Sequence, residues 1–119
     1  MQKCVLIYDD DVEILIVCKA ILEMDQYRVE TSTYCENILQ DIELHRPDLI
    51  LMDLWIPAIG GERAINLMHG SISARLIPVI LFSANDEIEK ISERIKANGF
   101  LKKPFDIFLF RKTIKDHIL

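Results

Sequence analysis

Three consecutive aspartates, Asp9-Asp10-Asp11, follow an apolar run, and a fourth, Asp53, directly follows Leu49-Ile50-Leu51-Met52. Ser83 closes another apolar run, and Lys102-Lys103 stands immediately before Pro104. Carboxylates drawn to one place repel unless something positive sits between them. Hard oxygen donors with no His or Cys beside them favour Mg²⁺, which keeps several waters and takes one or two carboxylates plus a phosphate. A hydroxyl and an ammonium on the opposite rim suit phosphoryl oxygens. Together these groups form a set for phosphoryl transfer to a carboxylate. Each also has an ordinary reading. Asp11 or a neighbour can cap a helix, Asp53 and Ser83 can be turn residues, and either lysine can be a solvated surface group. Those ordinary readings would all have to hold at one spot.

The elements that must position these residues show two textures. Short β-branched runs at Cys4–Tyr8, Leu49–Met52 and Pro78–Phe82 read as strands buried on both faces. A weaker run covers Arg28–Thr33, and a short fifth strand covers Phe100–Lys102. Between them, helical spacing predicts helices over Val12–Met24, Glu36–His45, Glu62–His69, Glu87–Lys96 and Ile107–Ile118. Arg46-Pro47 ends the second and Gly70 the third. Five alternating β-α units imply an α/β, flavodoxin-like doubly wound parallel sheet of order 2-1-3-4-5 with five helices, all in one domain over residues 1–119. In such a sheet ligands bind beyond the carboxyl ends of the strands where the order reverses, here between the first and third strands. The aspartates, Ser83 and the lysines lie at those ends.

Composition narrows the function classes. The 119 residues are half hydrophobic, enough for a real core, with 14 Lys+Arg against 19 Asp+Glu and a net charge of −5. The basic residues are scattered, which argues against nucleic-acid binding. No apolar run approaches the ~20 residues of a membrane helix, and the Met1-Gln2-Lys3 start does not resemble a signal peptide. Cys4, Cys18 and Cys35 have no C-x-x-C spacing and read as reduced, buried thiols, pointing to a cytoplasmic protein.

With these motifs in order, the chain resembles the receiver domains of two-component response regulators, of the chemotaxis single-domain type. Met52-Asp53-Leu54-Trp55-Ile56-Pro57-Ala58-Ile59-Gly60-Gly61 follows that family's D-x-x-M-P-x-M-x-G pattern with isoleucine for both methionines. Ser83-Ala84 stands at the family's Thr/Ser-Ala, and Lys103-Pro104-Phe105 at its Lys-Pro-Phe. The resemblance implies that Asp53 accepts a phosphoryl group from a phosphohistidine of a sensor histidine kinase or histidine phosphotransfer protein. It implies Mg²⁺ bound by Asp10 and Asp53 directly, by Asp9 largely through water, and by the backbone carbonyl of Trp55. Lys103 would contact a phosphoryl oxygen, with a cis bond to Pro104. Ser83 and the aromatic at Phe100 would act as the switch, reshaping the face built by helix four, strand five and helix five. Trp55 and Asn85 occupy positions that flank the phosphoryl group in the family and tune its hydrolysis.

There are departures from the pattern. Phe100 lacks a tyrosine hydroxyl, so a switch there works through packing. Lys96-Ala97 replaces Gly-Ala, and Asn98-Gly99 is expected to supply the left-handed residue ending helix four. Tyr8 replaces a smaller aliphatic residue. Competing readings are a pseudo-receiver that binds without phosphorylation and a Mg²⁺-dependent aspartyl-phosphate phosphatase, for which the chain has no room for a cap domain. An acidic loop after strand one disfavours a flavin carrier. No output domain is expected within the chain, leaving open a stand-alone regulator or part of a larger one. On the last helix, Ile107, Phe110, Ile114 and Ile118 are expected to face the sheet, leaving Phe108 and Leu109, Leu109 furthest, as an apolar patch for a downstream partner or self-association.

Overall fold

The computed structural model describes residues 2–118. Five strands alternate with five helices: β1 (Cys4–Tyr8), α1 (Val12–Met24), β2 (Arg28–Ser32), α2 (Ile38–His45), β3 (Leu49–Asp53), α3 (Gly60–His69), β4 (Val79–Ser83), α4 (Ile88–Ile95), β5 (Gly99–Lys102) and α5 (Ile107–His117). All strand pairs are parallel and the order is β2-β1-β3-β4-β5, the α/β topology expected from the alternation.

Every residue of β1, β3 and β4 is buried, because helices cover both faces of the sheet. Alternate side chains feed two cores. Leu6, Tyr8, Ile50, Met52 and Leu81 meet the apolar faces of α2, α3 and α4. Val5, Ile7, Leu51, Ile80 and Phe82 meet those of α1 and α5. A slip of one residue in any central strand would exchange the two sets, so this packing fixes which side chains reach the carboxyl edge.

The helix ends differ from expectation in instructive ways. α4 stops at Lys96, which itself takes the left-handed conformation at φ 62°, rather than at Asn98-Gly99. Asn98 is engaged elsewhere: its side-chain oxygen accepts from the Val79 N–H at 2.9 Å, and its own N–H donates to the Val79 carbonyl. Arg46 before Pro47 is also left-handed, at φ 49°. Gly70 ends α3 at φ −81°, without left-handed geometry.

α5 starts at Ile107 as expected, with Asp106 capping it through the Leu109 N–H at 2.7 Å. Its buried stripe begins a turn later, at Phe110, because the first turn stands clear of the sheet and Ile107 is exposed. Phe108 is 80% exposed and Leu109 48%, reversing their expected ranking. Both stay exposed, and Phe108 also lines a groove with Asp25, Tyr27 and Arg111. No helix among the described residues is long and apolar enough to cross a membrane.

Candidate functional site

The three parallel runs β1, β3 and β4 end side by side, and each delivers a polar group where its hydrogen-bonded ladder stops. Asp9 lies one residue beyond β1, Asp53 is the last residue of β3 and Ser83 the last of β4. All three are buried, in contrast to the exposed Asp10. One carboxylate oxygen from each of Asp9, Asp10 and Asp53 lies within 4.8 Å of the others. Such an all-oxygen set, with no imidazole or thiolate, fits a hard divalent cation. Asp11, the third aspartate, serves as the N-cap of α1, accepting from the Glu13 N–H at 3.0 Å. The triplet therefore divides its work between helix capping and the crevice.

Lys103 supplies the positive charge. Its Nζ lies 2.8 Å from Asp9 Oδ2 and 3.6 Å from Asp53 Oδ1, with the side chain largely buried. Lys102 points away and pairs with Asp86 at the surface. Neighbours on an extended segment point to opposite sides, so only one of the two lysines enters the crevice. The Lys103–Pro104 peptide is cis, as expected.

Asp9 is further held by accepting the Asp11 N–H at 2.8 Å. The Asp53 carboxyl is pushed up to about 6, first by burial and next by the Asp9 charge. The Lys103 charge and the Trp55 N–H oppose that rise without cancelling it. Two acidic groups held this close repel, and Lys103 offsets that only in part, leaving a remainder that a further cation would remove.

The β3–α3 loop is set by close backbone approach. A Cβ on Gly61 would come within 2.5 Å of the Asp53 carbonyl oxygen, so only glycine lets α3 start against the strand end. Ala58 and Gly60 both adopt positive φ in the same loop. Trp55, 66% exposed, stands in this loop over a shallow groove shared with Asn85, Ile91 and Arg94. Across the crevice, the Ser83 hydroxyl oxygen accepts the Asn85 N–H at 3.1 Å. Phe100, on β5, is exposed.

The structure thus brings Asp9, Asp10, Asp53 and Lys103 together, sets Ser83 beside Asp53 on the next strand, and keeps Trp55 and Asn85 on the rim. Three contributors escaped the sequence reading. The Phe82 ring lies under the Lys103 ammonium, 4.4 Å from Nζ to centroid. Tyr8 donates to Asp41 Oδ2 at 2.7 Å, tying the end of β1 to α2. Glu62 and Arg94 form a two-bond pair at 2.8 and 2.9 Å between α3 and α4. The period-two signal could have revealed Phe82, but only with the β4–β5 register in hand.

Residues 5–115 match the family model described as the response regulator receiver domain. The polar-differentiation response regulator DivK of Brucella anthropi is 30% identical over 99% of this chain and 98% of its own length. The transcriptional regulatory protein KdpE of Staphylococcus aureus is 31% identical over 97% of this chain, which spans 49% of that regulator's length. Response regulator GtcR of Aneurinibacillus migulanus is 33% identical over 89% of this chain and 43% of its own length. The chain thus spans about half the length of some curated relatives and nearly all of others. Among solved structures, the chemotaxis response regulator CheY4 of Vibrio cholerae superposes with a TM-score of 0.90 at 23% identity, covering 99% of this chain and 100% of that one. A CheY-like receiver domain protein of Methanospirillum hungatei gives 0.85 at 27% identity, over 98% and 93%. With the order β2-β1-β3-β4-β5, an acidic crevice at its reversal point and a family match over nearly the whole length, this chain belongs to the response regulator receiver domains of two-component signalling.

Proposed function

We propose that the chain acts as one phosphoacceptor unit over residues 1–119, taking a phosphoryl group onto Asp53 from a phosphohistidine. Receiver domains are signalling domains that bind Mg²⁺ in an acidic pocket and are phosphorylated by sensor histidine kinases or phosphotransfer proteins. The observation that carries the proposal here is the convergence of Asp9, Asp10 and Asp53 with the Lys103 ammonium at the topological reversal of the sheet. An Asp53 oxygen bonds to phosphorus as the P–N bond breaks, and the imidazole nitrogen leaves with that bond's electron pair. With its carboxyl titrating near 6, Asp53 is mostly ionised at pH 7 and ready to act as nucleophile.

Asp9, Asp10, Asp53 and the Trp55 carbonyl are the groups that would hold Mg²⁺, which neutralises the charge gathered there when bound. Lys103 is placed to meet a phosphoryl oxygen on Asp53. The buried Ser83 hydroxyl, one strand away, is the group to turn toward that oxygen, with Phe100 repacking beside it. The readout is a changed face over α4, β5 and α5, offered to a downstream protein or a second copy. Exposed Leu109 and Phe100 supply apolar surface on those elements. Three buried thiols, none of them in a disulfide, accord with a cytoplasmic setting.

Intact-mass measurement after incubation with phosphoramidate tests the assignment. Wild type is expected to gain one phosphoryl group with Mg²⁺ and none with EDTA, while Asp53→Asn gains none in either case. A mass gain by Asp53→Asn, or one insensitive to EDTA, would overturn it. Sedimentation of wild type with beryllofluoride, against Leu109→Glu, tests the surface. A partner-free monomer in both, with equal binding of an output protein, would remove α5 from the interface.

A further inference from the structure

Lys103 is held by two carboxylates and by an aromatic face. Its Nζ lies 2.8 Å from Asp9 Oδ2, 3.6 Å from Asp53 Oδ1 and 4.4 Å from the centroid of the Phe82 ring. Phe82 is fully buried in β4, in register opposite Leu101 of β5. Lys103 follows two residues later on the same extended segment, so it returns to the face that Leu101 shares with Phe82. The ring does not stand alone. Phe105 tilts against it at 6.4 Å and itself stacks at 5.1 Å on Phe110 of α5.

An ammonium over a ring face is attracted by the ring's negative quadrupole, and more strongly when both are shielded from water. The Lys103 side chain is 17% exposed, so this contact is largely desolvated. The ring thereby shields one side of the ammonium from water while two other directions lead to Asp9 and Asp53. Of these partners, the two carboxylates belong to the acidic set suited to a divalent cation. A carboxylate shared with a dication is a poorer partner for an ammonium, because the two positive charges repel across it. The Phe82 ring is neutral, is no ligand for a hard cation, and feels no such competition.

We propose that Phe82 is a positioning residue: its ring face is the hold on Lys103 that persists when Asp9 is drawn to the metal, keeping the ammonium aimed at a group on Asp53. This rests on the reading of Asp53 as phosphoacceptor. An aliphatic residue at position 82 would keep this core apolar but lack the attraction.

The test uses the full chain with 4-fluoro-, 3,5-difluoro- and 3,4,5-trifluorophenylalanine at position 82, which drain the ring face stepwise at nearly constant shape. With Mg²⁺ alone, the NMR order parameter of the Lys103 ε-methylene is expected to fall with each fluorine, and to fall less in EDTA, where Asp9 still holds the ammonium. With Mg²⁺ and phosphoramidate, the phosphorylation rate is expected to fall in parallel, about three- to tenfold at the trifluoro stage. The half-saturating Mg²⁺ concentration, read from the fluorescence of Trp55, should not move, and a Lys103→Ala background should flatten the rate series. A flat series in a wild-type background that does phosphorylate overturns the proposal, as does an equal slope in Lys103→Ala, which would mark a packing effect. If unsubstituted protein gains no phosphoryl group, the phosphoacceptor reading fails instead, and the ε-methylene series with Mg²⁺ still decides whether the ring holds Lys103.

Discussion

Replacing the nucleophile by its neutral isostere is expected to make the metal-free protein more stable, not less. In the fold the Asp53 carboxyl titrates near 6, against an ordinary value of 3.8. The folded chain therefore holds this proton more tightly than the unfolded chain does. For a carboxyl raised in this way, the cost to stability is absent below 3.8, grows as pH rises toward 6 and is constant above that. Two pH units at about 1.36 kcal/mol each make the ionised side chain a burden of about 3 kcal/mol at pH 7. The amide introduced by Asp53→Asn keeps the shape and can still accept the Trp55 N–H, but it removes the charge that Asp9 repels. Urea unfolding in EDTA should show the variant more stable by about 2–3 kcal/mol at pH 7, a midpoint shift of about 1–2 M. At pH 4 the difference should nearly vanish. The carboxyls held low by ion pairs, Asp25, Glu62, Asp86 and Asp116, lose stability on acidification in both proteins and cancel in the comparison. Adding Mg²⁺ should narrow the pH 7 gap by stabilising wild type. A variant no more stable than wild type at pH 7, or equally favoured at pH 4, would refute the repulsion argument.

Three further outcomes are expected. Lys102→Ala should leave phosphoramidate labelling nearly intact, because its ammonium pairs with exposed Asp86, whereas Lys103→Ala should slow labelling at least tenfold; equal losses would show that the orientation is misassigned. In Trp55→Ala the phosphorylated protein should lose its phosphoryl group several-fold faster, since the indole is exposed in the loop two residues beyond Asp53; an unchanged half-life removes the shielding role. Gly61→Ala should lower the urea stability by about 1–3 kcal/mol, because its Cβ would stand 2.5 Å from the Asp53 carbonyl oxygen, and a neutral result would mean that the loop yields without cost.

The two textures in the chain made the sheet legible, since β1 and α1 have the bounds that apolar periodicity assigns them. The acidic crevice was legible too, because topology sends the carboxyl ends of β1, β3 and β4 to one place whatever the details of packing. What escaped depends on pairings that no local pattern carries. α2 starts at Ile38 rather than Glu36, and no side chain caps it. The left-handed residue falls at Lys96, while Asn98 is committed to Val79, a partner nineteen residues away in sequence. Ile107 has the spacing of a core residue yet stays outside, since periodicity gives the direction of a side chain and not whether the sheet reaches that far. The raised Asp53 carboxyl follows from burial and proximity, which only assembled coordinates supply.

The flanks of the sheet carry a consequence for how this protein behaves at high concentration. β2 and β5 each pair on one side only, so their outer backbone groups are open to strand addition by another chain. β2 presents Arg28, Glu30 and Thr31 where the central strands are almost wholly apolar, and β5 is only four residues long and ends in Lys102. Charge on one edge and brevity on the other discourage edge-to-edge polymerisation, while the stickiest segments, β1, β3 and β4, are walled in between them. A sheet arranged this way can expose its helical surfaces to successive partners without its strands becoming templates for aggregation.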